Sequence, residues 1–406
     1  MKFTHQVYHS IDDVDPDEWD ACIDVEREIF ARRGFVRAVE RSMSDSEFLH
    51  VVFRDEQSRP VMTATLCLYH IDGSLMAEGA ALWIARFLER VNRSLIHVPI
   101  AICGLPVSAG QSNLRIRTDV DVDVDAVLQQ LDIVMTTWAR QHRARAIVFK
   151  EFNDAECSRI KAIESLGYRK ADSLPMNCTQ PGFESFDEYL ASLKSRRRSP
   201  IRRAIKKFEK TGLRIVQRRG GEGVAELFTD DVHKLYLEVL DRAEVKFERL
   251  PAEFFREIAR ELPDNSWFTF VVDDRERTDA PSPSETTTDT STDTIEASDI
   301  IAFATSVHSP ASFHQMFVGV RYDRKEESDL YFNLFFHAID VAFRQQTEEI
   351  QVGQSANEFK RQKFSCWQEP LSFFVKPLHP VAKLVFRLAF KSFFPSYPAR
   401  LKEQAE

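Results

Sequence analysis

The chain has 406 residues, a hydrophobic fraction of 43% and a formal net charge of −9. Its length favours two domains with ordinary hydrophobic cores, and its acidic balance excludes a protein that binds nucleic acid over its whole surface. Residues 1–20 lack the apolar segment of a signal peptide, and nowhere do about 18 apolar residues follow one another, as a membrane-spanning helix requires. We therefore expect a cytoplasmic protein whose anion sites are local.

Neither the cysteines nor the acidic residues predict a metal site. The six cysteines are scattered, without C-x-x-C or a zinc-type spacing to histidine, which is typical of buried free thiols. Residues 119–125 alternate aspartate with valine but lack the central glycine and terminal glutamate of a calcium loop. We predict that the protein binds no metal ion.

Hydrophobic periodicity in the first half predicts alternating helices and strands. In chain order these are a helix within 16–42, strands at 50–53 and 61–69, a partly helical stretch at 77–91, a buried strand that ends at Gly104, a helix at 126–142, a strand at 146–149 and a helix at 156–166. The loop at 104–113 contains glycine and serine, which let backbone N–H groups approach a ligand. Its spacing matches no standard phosphate or dinucleotide motif, so a structural turn and an anion or cofactor loop both stay open.

A basic stretch, Lys194–Arg219, stands out in this acidic chain because it holds twelve Lys or Arg residues and one acid. Ser199 and Pro200 are predicted as the N-cap and first residue of a helix that ends before Gly212. The predicted helix has an apolar face (Ile201, Ala204, Ile205, Phe208) and a cationic face (Arg202, Arg203, Lys206, Lys207, Lys210). Like charges in a row repel one another, so the pattern favours a bound anion; the alternative is a solvated linker helix.

The second half repeats the order of elements of the first. It is predicted to contain helices at 232–243 and 252–262, strands at 267–272, 300–307 and 313–320, a helix at 328–344, a strand at 349–352 and a helical turn at 357–364. Residues 136–156 align with 340–360 at an offset of 204, which superposes Val148 on Val352 and Asn153 on Asn357. This indicates an internal duplication and an α/β (α+β) fold of two modules, each a mixed sheet flanked by helices.

Four segments are expected along the chain. They are a first module at 1–183, bridging helices with the basic stretch at 184–219, a second module at 220–372 and a tail at 373–406. Residues 276–299, rich in Thr, Ser, Asp and Pro, are expected to form a disordered acidic insertion in the second module. Within the tail, residues 381–394 read as a basic amphipathic helix that either docks on a module or lies at the inner membrane face as a peripheral contact.

The chain resembles the tandem GNAT-type acyltransferases, and within them the Fem-like and peptidoglycan biosynthesis/recognition proteins. The stretches that carry the resemblance are GLPVSAG (104–110), the run at 184–215 that contains YLASLKSRRRSPIRRAIKK, FHQMFVGVRYD (313–323) and EIQVGQSANEFKRQKF (349–364). The late Tyr-Lys marker of these proteins appears here as Phe359-Lys360.

The resemblance implies two GNAT-like modules and direct transfer of an acyl or aminoacyl group from acyl-CoA or aminoacyl-tRNA to an amine or another nucleophile. GNAT modules grip the donor pyrophosphate with a glycine-rich turn, which here corresponds to 319–325 and contains one glycine. An intact acetyl-CoA loop is therefore absent from this turn, although Arg321, Arg324 and Lys325 remain available to hold phosphates as point charges.

Direct transfer needs a proton acceptor for the amine and stabilisation of the oxyanion. The candidate catalytic residues are Lys360, His314 and Glu358, with His308 as a further candidate for the proton work. Strict strand alternation places Phe313, Gln315 and Phe317 on one face and His314 on the other. The candidate substrate-binding residues are Arg202, Arg203, Lys206, Arg321, Tyr322, Asn333, Gln354 and Asn357.

Two hypotheses of different class follow. The first is an acyl- or aminoacyltransferase whose donor is anionic, either a small molecule or a tRNA. The second is a non-catalytic protein that uses the same cleft and basic helix to bind a polyanion, such as tRNA or a cell-wall precursor. The oligomeric state is not predicted.

Overall fold

The structure is a computed structural model of the whole chain. It describes residues 3–72, 97–107, 110–243, 248–273, 275, 287–288, 295–324 and 329–379, and single positions between 383 and 396. The predicted helical stretch at 77–91, most of the acidic insertion at 276–299 and Lys325 lie outside the described residues.

The described strands are β1 Thr4–Tyr8, β2 Glu47–Arg54, β3 Pro60–Asp72, β4 His97–Cys103, β5 Leu114–Ile116, β6 Ala146–Phe152, β7 Arg169–Asp172, β8 Met176–Thr179, β9 Arg214–Arg219, β10 Ser266–Val272, β11 Thr287–Thr288, β12 Ile300–His308, β13 Ser312–Val320, β14 Glu349–Gln351, β15 Trp367–Glu369 and β16 Ser372–Pro377. The described α-helices are α1 Pro16–Asp20, α2 Arg33–Ser42, α3 Val124–Gln141, α4 Asp154–Arg159, α5 Phe186–Ser192, α6 Ser195–Glu209, α7 Glu222–Leu227, α8 Asp230–Arg242, α9 Ala252–Glu261, α10 Leu330–Arg344 and α11 Asn357–Phe364. Short 3-10 helices occupy Ile11–Asp13, Ile29–Ala31, Lys161–Leu166, Ala297–Asp299 and Tyr322–Arg324.

The chain forms two compact units. The first unit comprises Met1–Asp24, Phe30–Pro175 and Glu369–Glu406, and the second comprises Val25–Ile29 and Met176–Gln368. This division differs from the expected segments. Val25–Ile29, residues 176–183 and the bridging helices belong to the second unit. Residues 369–372 and the expected tail belong to the first unit, where β16 pairs with strands on both sides.

The sheet of the first unit runs in the order β1-β2-β3-β4-β6-β16-β7, with β5 paired to β3. β4 and β6 are parallel, and β16 is antiparallel to both β6 and β7. Residues of α3, including Leu128, Leu131 and Trp138, pack into the hydrophobic core on this sheet. The helix begins where the Asp123 side chain accepts a hydrogen bond from the Ala126 N–H, so this aspartate of the 119–125 run acts as an N-cap.

The sheet of the second unit runs in the order β11-β9-β10-β12-β13-β14-β8-β15. β13 and β14 are parallel, and β8 is antiparallel to β14. Both units therefore share one arrangement. The last strand of an antiparallel meander pairs in parallel with the strand that follows the long helix. On its other side, that strand pairs with a strand from a distant part of the chain. The predicted fold class, two mixed sheets flanked by helices, is confirmed.

Helix α6 carries the basic stretch and presents the predicted apolar face. Ile201, Ala204 and Phe208 are buried, whereas Arg202 and the other cations of the opposite face are exposed. The predicted start was wrong: the helix begins at Ser195, with Lys194 as N-cap, so that Pro200 lies inside it. Pro200 leaves only one carbonyl, that of Arg196, without its helical N–H donor, and the packing of the apolar face offsets this loss.

The predictions about the cysteines and about two helix ends were confirmed. All six cysteines are buried free thiols. Gly167 and Gly212 follow helical segments with φ values of 94° and 71°, a conformation that glycine adopts without strain. None of the helices in the described part of the chain is long and apolar enough to cross a membrane.

Candidate functional site

The candidate site lies in the second unit, where two parallel strands part. β13 and β14 pair from Ser312–Glu349 to His314–Gln351. β13 then continues to Val320, whereas β14 ends and the chain turns through Gly353, whose φ is 83°. The strands therefore open beyond His314, and Gln315 is the first residue of β13 past the pairing.

β13 also contains a bulge at this point. Ala304 of β12 pairs with Val318 and Ser306 pairs with Gln315, so β13 has one residue more than β12 in this interval. The extra residue reverses the alternation: Phe313 packs in a core cluster with α10 residues, whereas Phe317 contacts the rings of α8 and α9. The prediction that Phe313 and Phe317 share a face was therefore wrong.

Lys360 lies at the opening with its charge buried. It is the fourth residue of α11 and is 3% exposed. Its Nζ donates to the Gly353 carbonyl at 3.4 Å, and this is the one hydrogen bond that the ammonium makes to described residues. A Cβ on Gly353 would stand 3.5 Å from that Nζ and 3.7 Å from the Gln315 carbonyl oxygen. The ammonium therefore lies beside the end of the β13–β14 pairing.

Burial changes the acid–base chemistry of this lysine. Desolvation lowers the pKa of Lys360 to about 8 from 10.5. Phe359 and Phe364, on the same helix as Lys360, pack against α10. The ring centroids of Phe364 and Phe335 of α10 are 4.2 Å apart. The helix that carries Lys360 is therefore anchored by aromatic packing, and the lysine is held in position.

Asn177 organises the backbone at the same place. Its Nδ2 donates to the Gly353 carbonyl at 2.8 Å and to Asn357 Oδ1 at 2.7 Å, and its own N–H also donates to the Gly353 carbonyl at 3.2 Å. This carbonyl therefore already accepts two shorter bonds than the one from Lys360. Since an ammonium has three donors, Lys360 retains the capacity to bind an anion or a developing oxyanion.

Gln315 adds a second polar group to the opening. The residue is 7% exposed, and its Oε1 is buried without a hydrogen-bond partner among the described residues. Buried side-chain amides nearly always have partners, so a ligand is a natural partner here. Neither Gln315 nor Asn177 was predicted as a site residue; the one available signal was an amide within each predicted or short extended segment.

His314 is close to the opening, but both of its ring nitrogens are hydrogen-bonded to other side chains of the protein. Its Nδ1 lies 3.0 Å from Gln351 Oε1 and its Nε2 lies 2.9 Å from Ser312 Oγ. Desolvation lowers the pKa of His314 to about 4. A neutral imidazole with both nitrogens hydrogen-bonded is better suited to holding β13 and β14 together than to accepting a proton.

Glu358 and Lys360 do not come together. Glu358 is exposed and accepts a hydrogen bond from Gln362 Nε2 at 2.7 Å along the helix surface. Residues two apart on a helix face different directions, so the carboxylate points to solvent while Lys360 points inward. Asn357 joins the Lys360 network through Asn177, and Gln354, half-buried, directly follows Gly353.

The turn after β13 contacts other elements. The Tyr322 N–H donates to Glu238 Oε2 at 3.2 Å, and the Arg242 guanidinium lies 4.1 Å from the centre of the Tyr322 ring. Arg321 is half-buried before it, and its N–H donates to the Ile301 carbonyl. Asn333 is buried in the first turn of α10, where its Nδ2 donates to the Asp329 carbonyl at 3.2 Å. The structure thus places Arg321 and Tyr322 next to α8, and Asn333 in the first turn of α10.

Arg324 forms an ion pair with Asp273 rather than remaining available to a phosphate. Asp273 also accepts hydrogen bonds from Arg275 at 2.6 and 2.9 Å. Arg275, and then Arg324, lower the pKa of Asp273 to about 2, below its usual 3.8, despite partial burial.

This cluster predicts a pH-dependent loss of stability. The native pKa of Asp273 lies below the unfolded value, so its contribution is complete above pH 4 and disappears as the pH falls to about 2. We expect Asp273→Asn to lower the free energy of unfolding by about 1–2 kcal/mol at pH 7, and by much less near pH 2. Urea unfolding at both pH values checks this, with exposed Asp264→Asn as the control. An equal loss for both variants would contradict the assignment.

Helix α6 lies beside the elements that form the opening. Its apolar face joins the core cluster that contains α10 residues and Phe364 of α11. Near its start Arg197 donates to Ser365 Oγ, directly after α11, and near its end Lys207 lies 3.4 Å from Asp329, directly before α10. Arg202, Arg203 and Lys206 are exposed between these anchors and form no ion pair with the described residues.

The glycine-containing loop of the first unit is held by the protein itself. Lys150 Nζ donates to the carbonyls of Leu105 and Val107 at 3.1 and 2.9 Å, and it lies 3.5 Å from Glu151. Gly104 has a φ of 136°, and a Cβ there would stand 2.9 Å from Lys150 Cγ. The described part of this loop is therefore a structural turn that a lysine closes; residues 108 and 109 lie outside the described residues.

Three solved structures are similar to the chain at low sequence identity. FemX has a TM-score of 0.52 at 10% identity, over 94% of this chain and 99% of that chain. The C-terminal domain of a putative lysylphosphatidylglycerol synthetase from Agrobacterium fabrum has a TM-score of 0.49 at 13% identity, over 92% of this chain and 96% of that chain. A tandem GNAT protein from the clavulanic acid biosynthesis pathway has a TM-score of 0.47 at 12% identity, over 93% and 99%.

These likenesses are of unequal weight. Only the FemX match exceeds a TM-score of 0.5 among these three, and it supports a common fold. No curated protein matches the chain in sequence. The model of the FemAB-like family, described as peptidoglycan biosynthesis/recognition, matches residues 10–280. The predicted resemblance is thereby confirmed, and the chain belongs to the FemAB-like family.

Proposed function

We propose that the protein is an acyl- or aminoacyltransferase and that its reaction takes place in the second unit, at the opening between β13 and β14. The observation that carries this proposal is the buried ammonium of Lys360, which makes a single long hydrogen bond to a described residue. Burying a cation with so little compensation is costly, and proteins retain such groups chiefly at functional sites.

The chemistry is direct transfer. The acceptor amine attacks the carbonyl carbon of the donor, a C–N bond forms, and the C–S bond of a thioester or the C–O bond of an aminoacyl ester breaks. The amine loses a proton, and the leaving thiolate or hydroxyl oxygen gains one. With a pKa of about 8, Lys360 is about nine-tenths protonated at pH 7. We assign its cation to the oxyanion of the tetrahedral intermediate, and the amide of Gln315 to hydrogen bonding with the donor.

The cationic face of α6 has a complementary role in this proposal. The acyl donors implied by the family resemblance, acyl-CoA and aminoacyl-tRNA, both carry phosphates at a distance from the reacting acyl group. Arg202, Arg203 and Lys206 offer exposed charges on a helix that packs beside α10 and α11. We propose that they hold the phosphates of the donor, which positions its acyl group for Lys360.

A second candidate is a non-catalytic protein that binds a polyanion through α6. The exposed charges of Arg202, Arg203 and Lys206, which form no ion pair with described residues, favour it, because phosphate binding needs no chemistry at Lys360. The two functions differ in turnover, and phosphate binding through α6 does not explain why the Lys360 ammonium is buried.

A donor screen tests the proposal. Purified full-length protein is incubated with acyl-CoA esters of different chain length, and separately with charged tRNAs, in the presence of a mixture of amines. Thiol release or amino-acid transfer above the uncatalysed rate is expected with one donor class. If no donor is consumed while tRNA binds tightly and in a salt-dependent way, the transferase assignment fails and the binding function stands.

A further inference from the structure

The C-terminal segment (the described residues between Lys383 and Ser396) has one face that packs on the first unit. Phe394 lies 5.2 Å from Phe373 of β16, and the guanidinium of Arg169 in β7 lies 4.9 Å from the Phe390 ring. Arg169 also donates to the Phe386 carbonyl at 2.8 Å. Through this phenylalanine face, the tail docks on the first unit, as one of the two alternatives for the tail expected.

A second face of the same segment remains uncovered by described residues. Leu384 is 58% exposed and Leu388 is 78% exposed. Both residues are helical and four positions apart, so their side chains lie next to each other on the helix surface. The exposed pair is flanked by Lys383 and Lys391, which are also exposed. An adjacent pair of exposed leucines between two lysines is typical of helices that lie at a bilayer surface.

The charge of this region is opposite to that of the whole chain. Residues 373–394 contain four Lys or Arg and no Asp or Glu, whereas the protein as a whole has 63 acidic and 54 basic residues. An anionic surface therefore attracts this region and repels much of the remainder. Charge complementarity favours an anionic bilayer as the occupant over a second copy of this acidic chain.

A cavity adjoins Leu388. Its volume is about 1300 Å³, and its lining includes the rings of Phe386, Phe390 and Phe394. Five cations and two carboxylates also line it: Arg169, Lys170, Lys376, Lys383 and Lys391 against Glu164 and Asp172. Apolar walls beside several cations suit an amphiphile that has an acyl chain and an anionic headgroup.

We propose that the C-terminal segment and strand β7 form a binding surface for an anionic phospholipid bilayer. Leu384 and Leu388 enter the interface, while Lys383 and Lys391 contact anionic headgroups. The surface belongs to the first unit and is independent of the transfer chemistry proposed for the second.

Sedimentation of the full-length protein with vesicles tests the surface. The vesicles contain phosphatidylcholine alone or phosphatidylcholine with phosphatidylglycerol. We expect binding to be about tenfold tighter with phosphatidylglycerol present, and to weaken as salt is raised. Leu384→Glu with Leu388→Glu should reduce binding by about tenfold or more. Ile133→Glu is the matched control, because Ile133 is an equally exposed apolar residue (65%) on α3 of the same unit.

The charge variant Lys383→Glu with Lys391→Glu separates electrostatic from apolar binding and should remove the preference for phosphatidylglycerol. Both pairs are exposed, so unchanged circular dichroism and melting temperature are expected. Failure of the wild-type protein to sediment with either vesicle would overturn the proposal. Equal binding by the leucine variant and the Ile133 control would overturn it too, as would concentration-dependent dimerisation that the leucine variant abolishes.

Discussion

Replacing Lys360 with methionine is expected to slow acyl transfer by about 10²–10³-fold, the usual effect of removing one oxyanion donor. The same variant should be at least as stable as the wild type. The folded pKa of about 8 lies below the unfolded 10.5, so the charged lysine destabilises the native state at pH 7. Methionine fills a similar volume without a charge. Single-turnover kinetics and urea unfolding measure the two effects.

The pH dependence provides a second readout of Lys360. Between pH 8 and 10.5, Lys360 is protonated in the unfolded chain but largely deprotonated in the native protein. This group should therefore make the wild-type free energy of unfolding increase with pH over that range. The methionine variant should lack that rise. In the wild type, kcat/KM should fall as the pH rises through about 8, because the protonated lysine is the active form.

Lys363→Met is the matched control on the same helix. Lys363 lies three residues after Lys360 and is half-buried rather than buried, so this variant should retain most of its activity. A Lys360→Met protein that is strongly destabilised, or that transfers as fast as the control, would contradict the assigned role.

Reversing three charges on α6 is the second change with a large expected effect. The triple variant Arg202→Glu, Arg203→Glu and Lys206→Glu should weaken binding of a phosphate-rich donor. We assume that each wild-type cation neutralises one phosphate. Raising the salt concentration from 50 to 200 mM should then weaken wild-type binding by about 20–40-fold through these three contacts. The variant should lose this part of the salt dependence. Affinity measured across a salt series gives both quantities.

The first unit offers a control with the same change in net charge. Arg140, Arg143 and Arg145 are exposed at the end of α3 and form no ion pair with the described residues. Their reversal to glutamate alters the overall charge by the same amount as the α6 variant. Equal losses of affinity in the two triple variants would show a general charge effect, and the α6 assignment would fail.

Much of the fold is predictable because local signals agree with the tertiary structure. The apolar face of α6 identifies its buried side, and Gly104 and Gly167 mark the ends of β4 and of a helical segment. The start of α6 is less predictable, because Pro200 favours a helix start, whereas packing extends the helix back to Ser195. Tertiary packing overrides the local preference there.

The candidate site is predictable only in part. Lys360 is identified from the Phe359-Lys360 marker, but no periodicity in the sequence shows that its ammonium is buried. Gln315 lies where β13 parts from β14, and Asn177 reaches Gly353 across 176 positions of sequence. Glu358 is close to Lys360 in sequence, yet the helix turns it to solvent. Such contacts arise from topology, which residue spacing alone does not encode.

Competitive labelling of lysines is the most direct test of a reaction centre at Lys360. Wild-type protein is treated with a small amine-reactive reagent across a pH series, with and without the donor found by screening, and the modified peptides are quantified by mass spectrometry. We expect Lys360 to react with an apparent pKa near 8 and to be protected by the donor, while Lys363 is unaffected by the donor. A pKa near 10.5 for Lys360, or labelling that the donor leaves unchanged, would contradict the account.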